Sequence, residues 1–248
     1  MSIAATVITK NEASSIRTCM NSLAWVDEIV VVDSGSTDRT VEICREYTDR
    51  IVAADWPGFG PQKNRAIAMA TSEWVLSLDA DEWLTPELRE EMRAAMADPG
   101  NHAAFAMPRL SSYCGKQMRH GGWWPDYVTR LFRRGKARFS DDLVHERLLV
   151  DGPVGRLREP LLHEAFRDLD EVVDTMNRYS TAGAQMMHER KERAGPATAL
   201  LHGFWSFLST YFLRAGFLDG REGFMLAVSN AEGAYYKYLK LMLMIEKK

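Results

Sequence analysis

Two carboxylates one residue apart, Asp79 and Asp81, follow a short apolar run, and Glu82 stands directly beside them. The apolar run, residues 75–78, predicts a strand buried on both faces, because it is too short for an independent helix. Side chains alternate along a strand, so Asp79 and Asp81 point the same way if the extended backbone continues past the strand end. Such a pair suits a hard divalent cation that keeps coordination positions open for phosphate groups. This pattern alone also leaves open a solvated acidic turn before a helix at Thr85.

Polar side chains also follow two earlier predicted strands. Asn11 and Glu12 come after the first strand, and the second strand ends in Asp33. The carboxyl ends of parallel strands meet at one edge of a sheet, and ligands bind there. Three strand ends with carboxylates therefore favour a binding site over an acidic turn. Lys63 and Arg65, near the start of the third predicted helix, can supply the positive charge that an anionic ligand needs.

The predicted elements alternate between strand and helix up to residue 97. Four strand–helix units in sequence predict an α/β fold with a parallel sheet. A fifth strand is predicted at 103–107, and residues 111–160 hold short strand-like pieces that we interpret as a mixed, partly antiparallel extension of the sheet. These pieces lie at 127–132, 137–139 and 147–150. From Leu169 onward the pattern is helical to the end.

The composition is that of an ordinary globular protein. The chain has 248 residues, of which 46% are hydrophobic and 26% charged, and its net charge of -3 gives no support to nucleic-acid binding. Three widely spaced cysteines, Cys19, Cys44 and Cys114, argue for a reducing compartment and against a zinc site or a disulfide framework. We see no signal peptide and no apolar run long enough to span a bilayer, so the expected location is cytoplasmic.

Three segments carry a resemblance to a known family. Residues 8–12, 32–38 and 78–82 read Ile-Thr-Lys-Asn-Glu, Val-Asp-Ser-Gly-Ser-Thr-Asp and Leu-Asp-Ala-Asp-Glu. They resemble the nucleotide-sugar half of the family 2 inverting glycosyltransferases, which have the GT-A fold. Further segments resemble the branch that contains lipopolysaccharide core β-1,4-glucosyltransferases, which act on a heptose. These segments are residues 62–64, 129–134, 144–146, 161–163 and 217–224.

The resemblance implies a domain organisation and a reaction. It implies a GT-A catalytic domain at 1–165, with a donor-nucleotide half at 1–100 and an acceptor half at 101–165, and a C-terminal helical extension at 166–248. The implied reaction moves a sugar, glucose in this branch, from a UDP-sugar donor to a lipid-linked oligosaccharide acceptor. A divalent cation, Mg²⁺ or Mn²⁺, and basic side chains stabilise the leaving diphosphate. A carboxylate accepts the proton of the acceptor hydroxyl.

The resemblance also implies roles for individual residues. Asp33 matches the carboxylate that hydrogen-bonds the uracil ring, and Asn11 and Glu12 line the same pocket. Asp79 and Asp81 match the pair that meets ribose and metal. The residues implied for the nucleotide sugar are Thr9, Asn11, Glu12, Asp33, Ser34, Gln62, Lys63, Asn64, Asp79 and Arg130. The residues implied for the metal are Asp81, Asp79 and His163.

The catalytic base has more than one candidate. Glu146 matches the position of the acceptor-activating base, and Asp142 is the second member of the predicted catalytic pair. Asp141 and Asp142 lie a few residues upstream of Glu146 and could equally face the acceptor. His145 is interpreted as an orienting or packing histidine.

Other side chains keep both a functional and a structural interpretation. His163 either ligates the metal or contacts the diphosphate, or it is a hydrogen-bonded structural histidine. Arg130 either serves a phosphate or pairs with a nearby carboxylate. Trp123 and Trp124 either stack on an acceptor sugar or pack in the interior.

The C-terminal tail is rich in aromatic residues at helical spacing. One stripe runs from Phe204 to Ala215 and a second from Phe224 to Ile245. A helical hairpin packed on the protein itself is one interpretation. The second is an interfacial surface at the inner face of the cell membrane, with Lys237 and Lys240 at the lipid headgroups. A homodimer interface is the third.

Two rival functions remain at this stage. A sugar nucleotidyltransferase also binds a nucleotide on a parallel sheet, but such enzymes carry a Gly-rich loop after the first strand, and residues 9–12 contain no glycine. A non-catalytic nucleotide-sugar-binding or membrane-scaffold module would leave Glu146 and the Asp79/Asp81 pair without a purpose.

Overall fold

A computed structural model describes residues 1–140 and 147–246 of the chain. The chain divides into two compact units. The first unit comprises Met1–Arg109 and Asp126–His163. The second unit comprises Leu110–Pro125 and the chain from Glu164 onward.

The elements follow the predicted alternation closely over the first hundred residues or so. The first elements are β1 (Ile3–Thr9), α1 (Ile16–Ser22), β2 (Glu28–Asp33), α2 (Thr40–Cys44), β3 (Ile51–Ala53), α3 (Phe59–Met69), β4 (Trp74–Asp79), β5 (Glu82–Leu84) and α4 (Pro86–Ala97). The later strands are β6 (Ala104–Tyr113), β7 (Lys116–Gln117), β8 (Asp126–Arg133), β9 (Ala137–Phe139), β10 (Leu148–Val150), β11 (Val154–Arg156) and β12 (Leu161–Phe166). The helices that close the chain are α5 (Leu169–Glu189), α6 (Pro196–Leu208) and α7 (Gly220–Glu246).

The main sheet is mixed and mostly buried. Its strand order is β3-β2-β1-β4-β8-β6-β12-β5. Strands β1 to β4 pair in parallel, whereas β8 is antiparallel to both β4 and β6. All seven residues of β1 are buried, as are all but the last of β4, because helices cover a parallel sheet on both faces. The predicted α/β fold with a partly antiparallel extension is confirmed.

The register of the parallel strands brings their carboxyl ends side by side. Thr9, at the end of β1, pairs with Asp33 at the end of β2. On the other side of β1, Ile8 pairs with Asp79 at the end of β4. The polar strand ends therefore lie at the same edge of the sheet, as the sequence predicts.

Two local predictions differ from the structure. The extended backbone of β4 stops at Asp79, and Ala80 and Asp81 form a turn, so Asp79 and Asp81 do not continue one strand. Strands β9 and β10 pair as a separate antiparallel hairpin rather than as part of the main sheet.

Hydrogen bonds and an aromatic stack join the helices of the second unit. The Lys240 ammonium donates to Asn177 Oδ1 at 2.7 Å and to Ser180 Oγ at 2.7 Å, which ties α7 to α5. The rings of His202 and Tyr238 stack at 4.1 Å between α6 and α7. In the described part of the chain, no helix combines the length and apolar character needed to cross a bilayer.

The Gly-rich tail segment at residues 217–224 fastens a loop within the second unit. The buried Asp219 carboxylate accepts the backbone N–H groups of Arg119 and His120 at 3.1 and 2.7 Å. The Lys116 ammonium donates to the Asp219 carbonyl oxygen at 2.6 Å. At Gly223 a side chain would collide with the carbonyl oxygen of Gly216, so this close approach requires glycine.

Candidate functional site

The loop after β2 is folded by its own carboxylate. Asp33 is buried, and its Oδ2 accepts the backbone N–H groups of Gly35 and Ser36 at 2.9 Å each. The Ser36 hydroxyl donates to Asp33 Oδ1 at 2.5 Å. Gly35 has a φ of +83°, a conformation that favours glycine. Asp33 is therefore held in a fixed orientation at the edge of the sheet.

The loop after β1 is tied to the loop after β2 through its backbone. The N–H groups of Asn11, Glu12 and Ala13 donate to Ser36 Oγ at 2.9 Å, to Thr40 Oγ1 at 2.7 Å and to Asp38 Oδ2 at 3.1 Å. All three backbone donors of this turn are thus already satisfied by side chains. The Asn11 side chain returns the contact, because its Oδ1 accepts the Thr37 N–H at 2.8 Å.

Helix α3 contributes side chains to different parts of the first unit. The fully buried Gln62 donates from Nε2 to Ser34 Oγ at 2.8 Å and so braces the loop after β2. Asn64 exchanges two hydrogen bonds with the backbone of Phe139, at 2.8 and 2.9 Å, and so holds β9. Both polar groups of the Asn64 amide therefore bind β9. Contact of Asn64 with the nucleotide-sugar donor stays a prediction. Thr9 Oγ1 is buried and has no hydrogen-bond partner among the described residues.

Asp79 lies between two buried cations. Lys63 Nζ is 2.8 Å from Asp79 Oδ1, and Arg130 Nη2 is 2.6 Å from Asp79 Oδ2. Burial alone would raise the pKa of Asp79, but the charges of Arg130 and Lys63 outweigh it, and the pKa lies well below its usual range. Burial likewise opposes the charge of Arg130, yet Asp79 and Glu82 raise its pKa further. The structure shows Arg130 paired with carboxylates, and its contact with a phosphate stays a prediction.

Glu82 is a central residue of the site that the sequence prediction did not assign. Its side chain is fully buried, and Oε1 accepts from Arg130 Nη2 at 2.6 Å and lies 3.3 Å from Arg109 Nη1. Arg109 also binds the Asp126 carboxylate at 2.7 Å. The adjacency of Glu82 to the Asp79/Asp81 pair was the available signal for Glu82, whereas nothing local in the sequence marked Arg109 or Asp126.

Asp81 differs from the other carboxylates of this site. Its Oδ2 lies 3.5 Å from His163 Nε2, and Oδ1 is buried without a hydrogen-bond partner within the described part of the chain. Within residues 1–140 and 147–246, no Lys or Arg forms an ion pair with Asp81. Burying an unsatisfied carboxylate oxygen is costly, so a cation at this oxygen would remove an unfavourable feature.

The described residues alone do not complete a metal site. No group of three or more His, Cys, Asp or Glu side chains in those residues is arranged to hold a metal ion. Asp79, one of the predicted ligands, uses its two oxygens for Lys63 and Arg130. Asp81 and His163 fit a cation that takes its remaining ligands from a bound phosphate and water, as Mg²⁺ does at phosphate sites.

The comparison with protein-family models decides the class of protein. A model described as "Glycosyl transferase family 2" matches residues 5–159, which is more than half of the chain. The chain belongs to glycosyl transferase family 2. The predicted family and the predicted enzyme class are confirmed.

Relatives of this glycosyltransferase match along nearly its whole length. The "Lipopolysaccharide core biosynthesis glycosyltransferase LpsC" of Rhizobium meliloti is 32% identical, over 96% of this chain and 89% of the relative. The "Uncharacterized glycosyltransferase RP128" of Rickettsia prowazekii is 27% identical, over 95% of this chain and 85% of the relative. A crystal structure of S. aureus TarS 1-349 in complex with UDP gives a TM-score of 0.50 at 14% identity, covering 100% of this chain and 92% of that chain. This likeness supports the GT-A fold.

The predicted catalytic pair of the glycosyltransferase, Glu146 and Asp142, lies outside the described residues, as do Asp141 and His145. The predicted donor residues and metal residues are described. Those at the ends of β1, β2 and β4 come together at one edge of the sheet.

The two predicted acceptor tryptophans have partners in the second unit. The ring centre of Trp123 lies 5.9 Å from that of Tyr113 and 6.1 Å from that of Phe166. The Arg119 guanidinium lies 5.3 Å from the centre of the Trp124 ring.

An Arg130→Met variant of the glycosyltransferase is expected to lose about 3 kcal/mol of its free energy of unfolding, the lower end for breaking a buried ion pair. The loss stays at that end because Glu82 keeps Arg109 and Asp79 keeps Lys63. Denaturant unfolding measures the change. Arg133→Met, on the same strand, is the control: Arg133 and Glu73 form an exposed pair at 3.3 Å and should contribute less than about 1 kcal/mol.

The same variant changes the response to acid. The folded-state pKa of Asp79 is lowered, so Asp79 stabilises the protein above the pKa of about 3.9 that an unfolded aspartate has. This contribution is lost as the pH falls from about 4 through the folded-state pKa. Arg130→Met removes one cause of the lowering, so the acid-unfolding midpoint should move to higher pH. An unchanged midpoint would mean that Lys63 alone keeps Asp79 ionised.

Proposed function

We propose that this glycosyltransferase moves a hexosyl group, glucose, from a UDP-sugar to a heptose-type acceptor of the lipopolysaccharide core, with inversion at the anomeric carbon. Family membership supports the transfer of a glycosyl group. The homologue named for lipopolysaccharide core biosynthesis supports the acceptor class. UDP, which is bound in the TarS complex named above, supports the nucleotide of the donor.

The charge arrangement at the edge of the sheet is the observation that carries the proposal. Asp79 and Glu82 are neutralised by Lys63, Arg130 and Arg109, whereas Asp81 faces only His163 among the described residues. A divalent cation at Asp81 would leave the site with a local excess of positive charge. That excess complements a diphosphate, whose negative charge grows as it leaves the sugar.

Each donor-side residue then has a task that its geometry suits. The fixed carboxylate of Asp33 accepts the imide N–H of uracil. Thr9, which pairs with Asp33 in the strand register, has an Oγ1 without a hydrogen-bond partner among the described residues. Lys63 and Arg130 hold Asp79 in place and keep positive charge at the strand end. Asp81 and His163 would hold the divalent cation. When bound, that cation neutralises charge on the leaving diphosphate.

The acceptor hydroxyl must lose its proton as it attacks the anomeric carbon from the face opposite the leaving group. We assign the proton to the Glu146 carboxylate, on the strength of the resemblance of residues 144–146 to the family's pattern. Asp141 and Asp142 remain the competing bases. A base in this position contributes a factor of about 10²–10⁴ to the rate.

The loop after β1 argues against the rival nucleotidyltransferase. A triphosphate is usually cradled by free backbone N–H groups of a Gly-rich loop. Here the N–H groups of Asn11, Glu12 and Ala13 are all occupied by side-chain acceptors. Incubation with a sugar 1-phosphate and a nucleoside triphosphate should release no pyrophosphate.

A donor panel tests the proposal directly. The protein is incubated with UDP-glucose, UDP-galactose, UDP-N-acetylglucosamine and GDP-mannose, with Mg²⁺, with Mn²⁺ or with a chelator. We expect UDP-glucose to give the largest thermal shift and the fastest hydrolysis, in which water takes the place of the acceptor and UDP is released, and the chelator to suppress both. A non-catalytic module would show the shift without any release of UDP, and a preference for GDP-mannose would overturn the proposed nucleotide.

Asp33→Ala is expected to raise the Michaelis constant for the UDP-sugar by about 10- to 100-fold, because the donor loses a hydrogen bond to a charged group. The turnover number at saturating donor should change little, because uracil contacts are the same in the ground and transition states. Steady-state kinetics separates the two constants. Ser36→Ala is the control, since it removes the Ser36 contact with Asp33 but keeps the carboxylate. An equal rise in Ser36→Ala would assign the effect to loop folding.

A further inference from the structure

The outward side of α6 is apolar. Leu200, Leu201, Phe204 and Trp205 are exposed by 62%, 68%, 64% and 59%. At about 100° per residue, these four positions fall on one side of the helix. We call them the α6 apolar face. A monomeric protein rarely exposes several large apolar side chains side by side without a binding purpose.

The opposite side of α6 holds the helix in place with small residues. Ala199 is fully buried, and a Cβ at Gly203 would lie 3.2 Å from the Ala231 carbonyl oxygen of α7. The usual amphipathic arrangement is therefore inverted, with small side chains inward and large apolar ones outward. The large side chains do not serve to pack α6 within the second unit.

The chain after α6 extends the aromatic character of this region. Phe212 is 55% exposed, and its ring lies 5.0 Å from Tyr211 and 6.4 Å from Phe207. Phe224 is 49% exposed, and its ring centre lies 5.8 Å from that of Phe207 and 5.7 Å from that of Tyr211. Aromatic rings of this kind are enriched where a protein meets the headgroup level of a bilayer.

The charges around the α6 apolar face are arranged at its borders. Residues 194–213 contain no Asp, Glu, Lys or Arg, and Arg193 and Arg214, both exposed, bound this stretch. Between residues 189 and 193 the chain carries three basic and two acidic side chains, which is a net charge of +1. The next acidic residue after the stretch, Asp219, is buried against the Arg119 and His120 backbone.

We infer that the α6 apolar face binds the surface of an anionic lipid bilayer. Helix α6 has 13 residues, too few to cross the hydrocarbon core, which needs about 20. Lying in the plane of the interface, it buries its apolar face at the headgroup and acyl boundary. Arg193 and Arg214 then meet the anionic headgroups at the two ends of the uncharged stretch.

A second copy of the chain is a poorer occupant of this face. A two-fold dimer that packs α6 antiparallel brings Arg193 of one copy close to Arg214 of the other. A parallel arrangement brings each arginine close to its own equivalent. In both arrangements basic borders face basic borders, whereas an anionic lipid surface complements them.

The lysines of α7 contact other groups of the second unit. The Lys240 ammonium is bound to Asn177, Ser180 and Thr181 of α5. The Lys237 ammonium lies 5.0 Å from the centre of the Tyr238 ring. We therefore assign the headgroup contacts of the α6 apolar face to Arg193 and Arg214, and contact of Lys237 and Lys240 with headgroups stays a prediction.

Co-sedimentation of the full chain with vesicles tests the inference. Vesicles of phosphatidylethanolamine and phosphatidylglycerol should pellet the wild-type protein, and vesicles of phosphatidylcholine should pellet much less of it. Leu201→Ser/Trp205→Ser should lower the partition coefficient by about tenfold or more, since two large apolar side chains leave the interface. Arg193→Gln should lower binding to the anionic vesicles by about fivefold.

The control variant changes exposed apolar residues on another helix. Leu169→Ser/Val173→Ser replaces side chains of α5 that are 50% and 52% exposed, and its partitioning should match the wild type. Far-ultraviolet circular dichroism checks that each variant is folded, and the single change Leu201→Ser replaces the double variant if that one misfolds. Partitioning of the folded variant at the wild-type level overturns the inference, as does a wild-type protein that ignores anionic vesicles.

A dimer is a distinct outcome of the same experiment. If analytical ultracentrifugation shows a wild-type dimer that Leu201→Ser/Trp205→Ser dissociates, the face belongs to a second copy and the lipid inference is wrong. Vesicle binding is measured without nucleotide, and release of UDP is measured without vesicles. Failure of the proposed transferase function and failure of this inference therefore give separate signals.

Discussion

Asp81→Asn is expected to reduce turnover by a factor of about 10³, which corresponds to the several kcal/mol that a catalytic metal contributes to charge stabilisation. Among the described residues, the one ion pair of Asp81 is with the imidazole of His163 at 3.5 Å, and its second oxygen is buried there without a hydrogen-bond partner. The amide keeps the size of the side chain but supplies no negative charge to a cation. The fold should be retained, because no described Lys or Arg depends on Asp81 as an ion-pair partner.

Two measurements on Asp81→Asn distinguish a metal ligand from a structural residue. Isothermal titration with Mn²⁺ in the presence of UDP should show affinity weakened by at least tenfold, whereas the thermal midpoint without metal should stay close to wild type. His163→Gln should weaken Mn²⁺ affinity in the same direction. Arg93→Met is a neutral control, since Arg93 pairs with Glu90 on the exposed side of α4. Normal metal-dependent turnover in a folded Asp81→Asn protein would falsify the metal assignment.

Glu146→Gln is expected to lower turnover by a factor of about 10²–10⁴, the usual loss when a general base is removed. The amide keeps the shape and the hydrogen-bonding reach of the side chain but cannot accept a proton from the acceptor hydroxyl. Affinities for the UDP-sugar and for the cation should stay close to wild type, since the donor-side residues are unchanged. Wild-type activity should also fall as the pH drops towards the pKa of the base, because only the ionised carboxylate accepts a proton.

The neighbouring carboxylates provide the matched controls for this prediction. Asp141→Asn and Asp142→Asn should each cost much less than Glu146→Gln when the three variants are assayed side by side. If one of the aspartate variants is inactive while Glu146→Gln turns over normally, the base lies upstream. Glu146 would then orient the acceptor.

The strand ends of the donor side could be predicted from the sequence because both signals that define them are local. A short, mostly apolar run marks β1, β2 and β4, and a polar residue marks the end of each one. The rule that ligands bind at the carboxyl ends of parallel strands then brings Asp33 and Asp79 to one edge. The register of β1 with its two neighbours agrees with this prediction.

The ion-pair network around Glu82 could not be predicted in the same way, because it depends on pairings between distant segments. Glu82 is buried since β5 pairs with β12, which places Leu84 opposite Leu161 and Glu82 opposite His163. Arg109 and Asp126 face each other only through the antiparallel register of β6 and β8. Neither register leaves a periodic signal within a single window of sequence.

The α6 helix shows a different limit of pattern reading. Spacing predicts the stripe from Phe204 to Ala215, and stripes of this kind normally face the interior. In the structure the interior side is carried by Ala199 and Gly203, and Phe204 is exposed. A periodic pattern tells which residues share a side of a helix, but the nature of the neighbouring surface decides which side is turned inward.

The ties between the loops after β1 and β2 have a consequence for the thermodynamics of the proposed donor binding. Three consecutive backbone N–H groups of one loop end on side chains of the other, and the Thr37 N–H ends on the Asn11 side chain. Two loops braced in this way are already ordered in the absence of a nucleotide. They therefore lose little conformational entropy when a nucleotide binds. The bracing also couples the two loops, because loss of the Thr40 or Asp38 acceptor in the second loop releases the backbone N–H of Glu12 or Ala13 in the first.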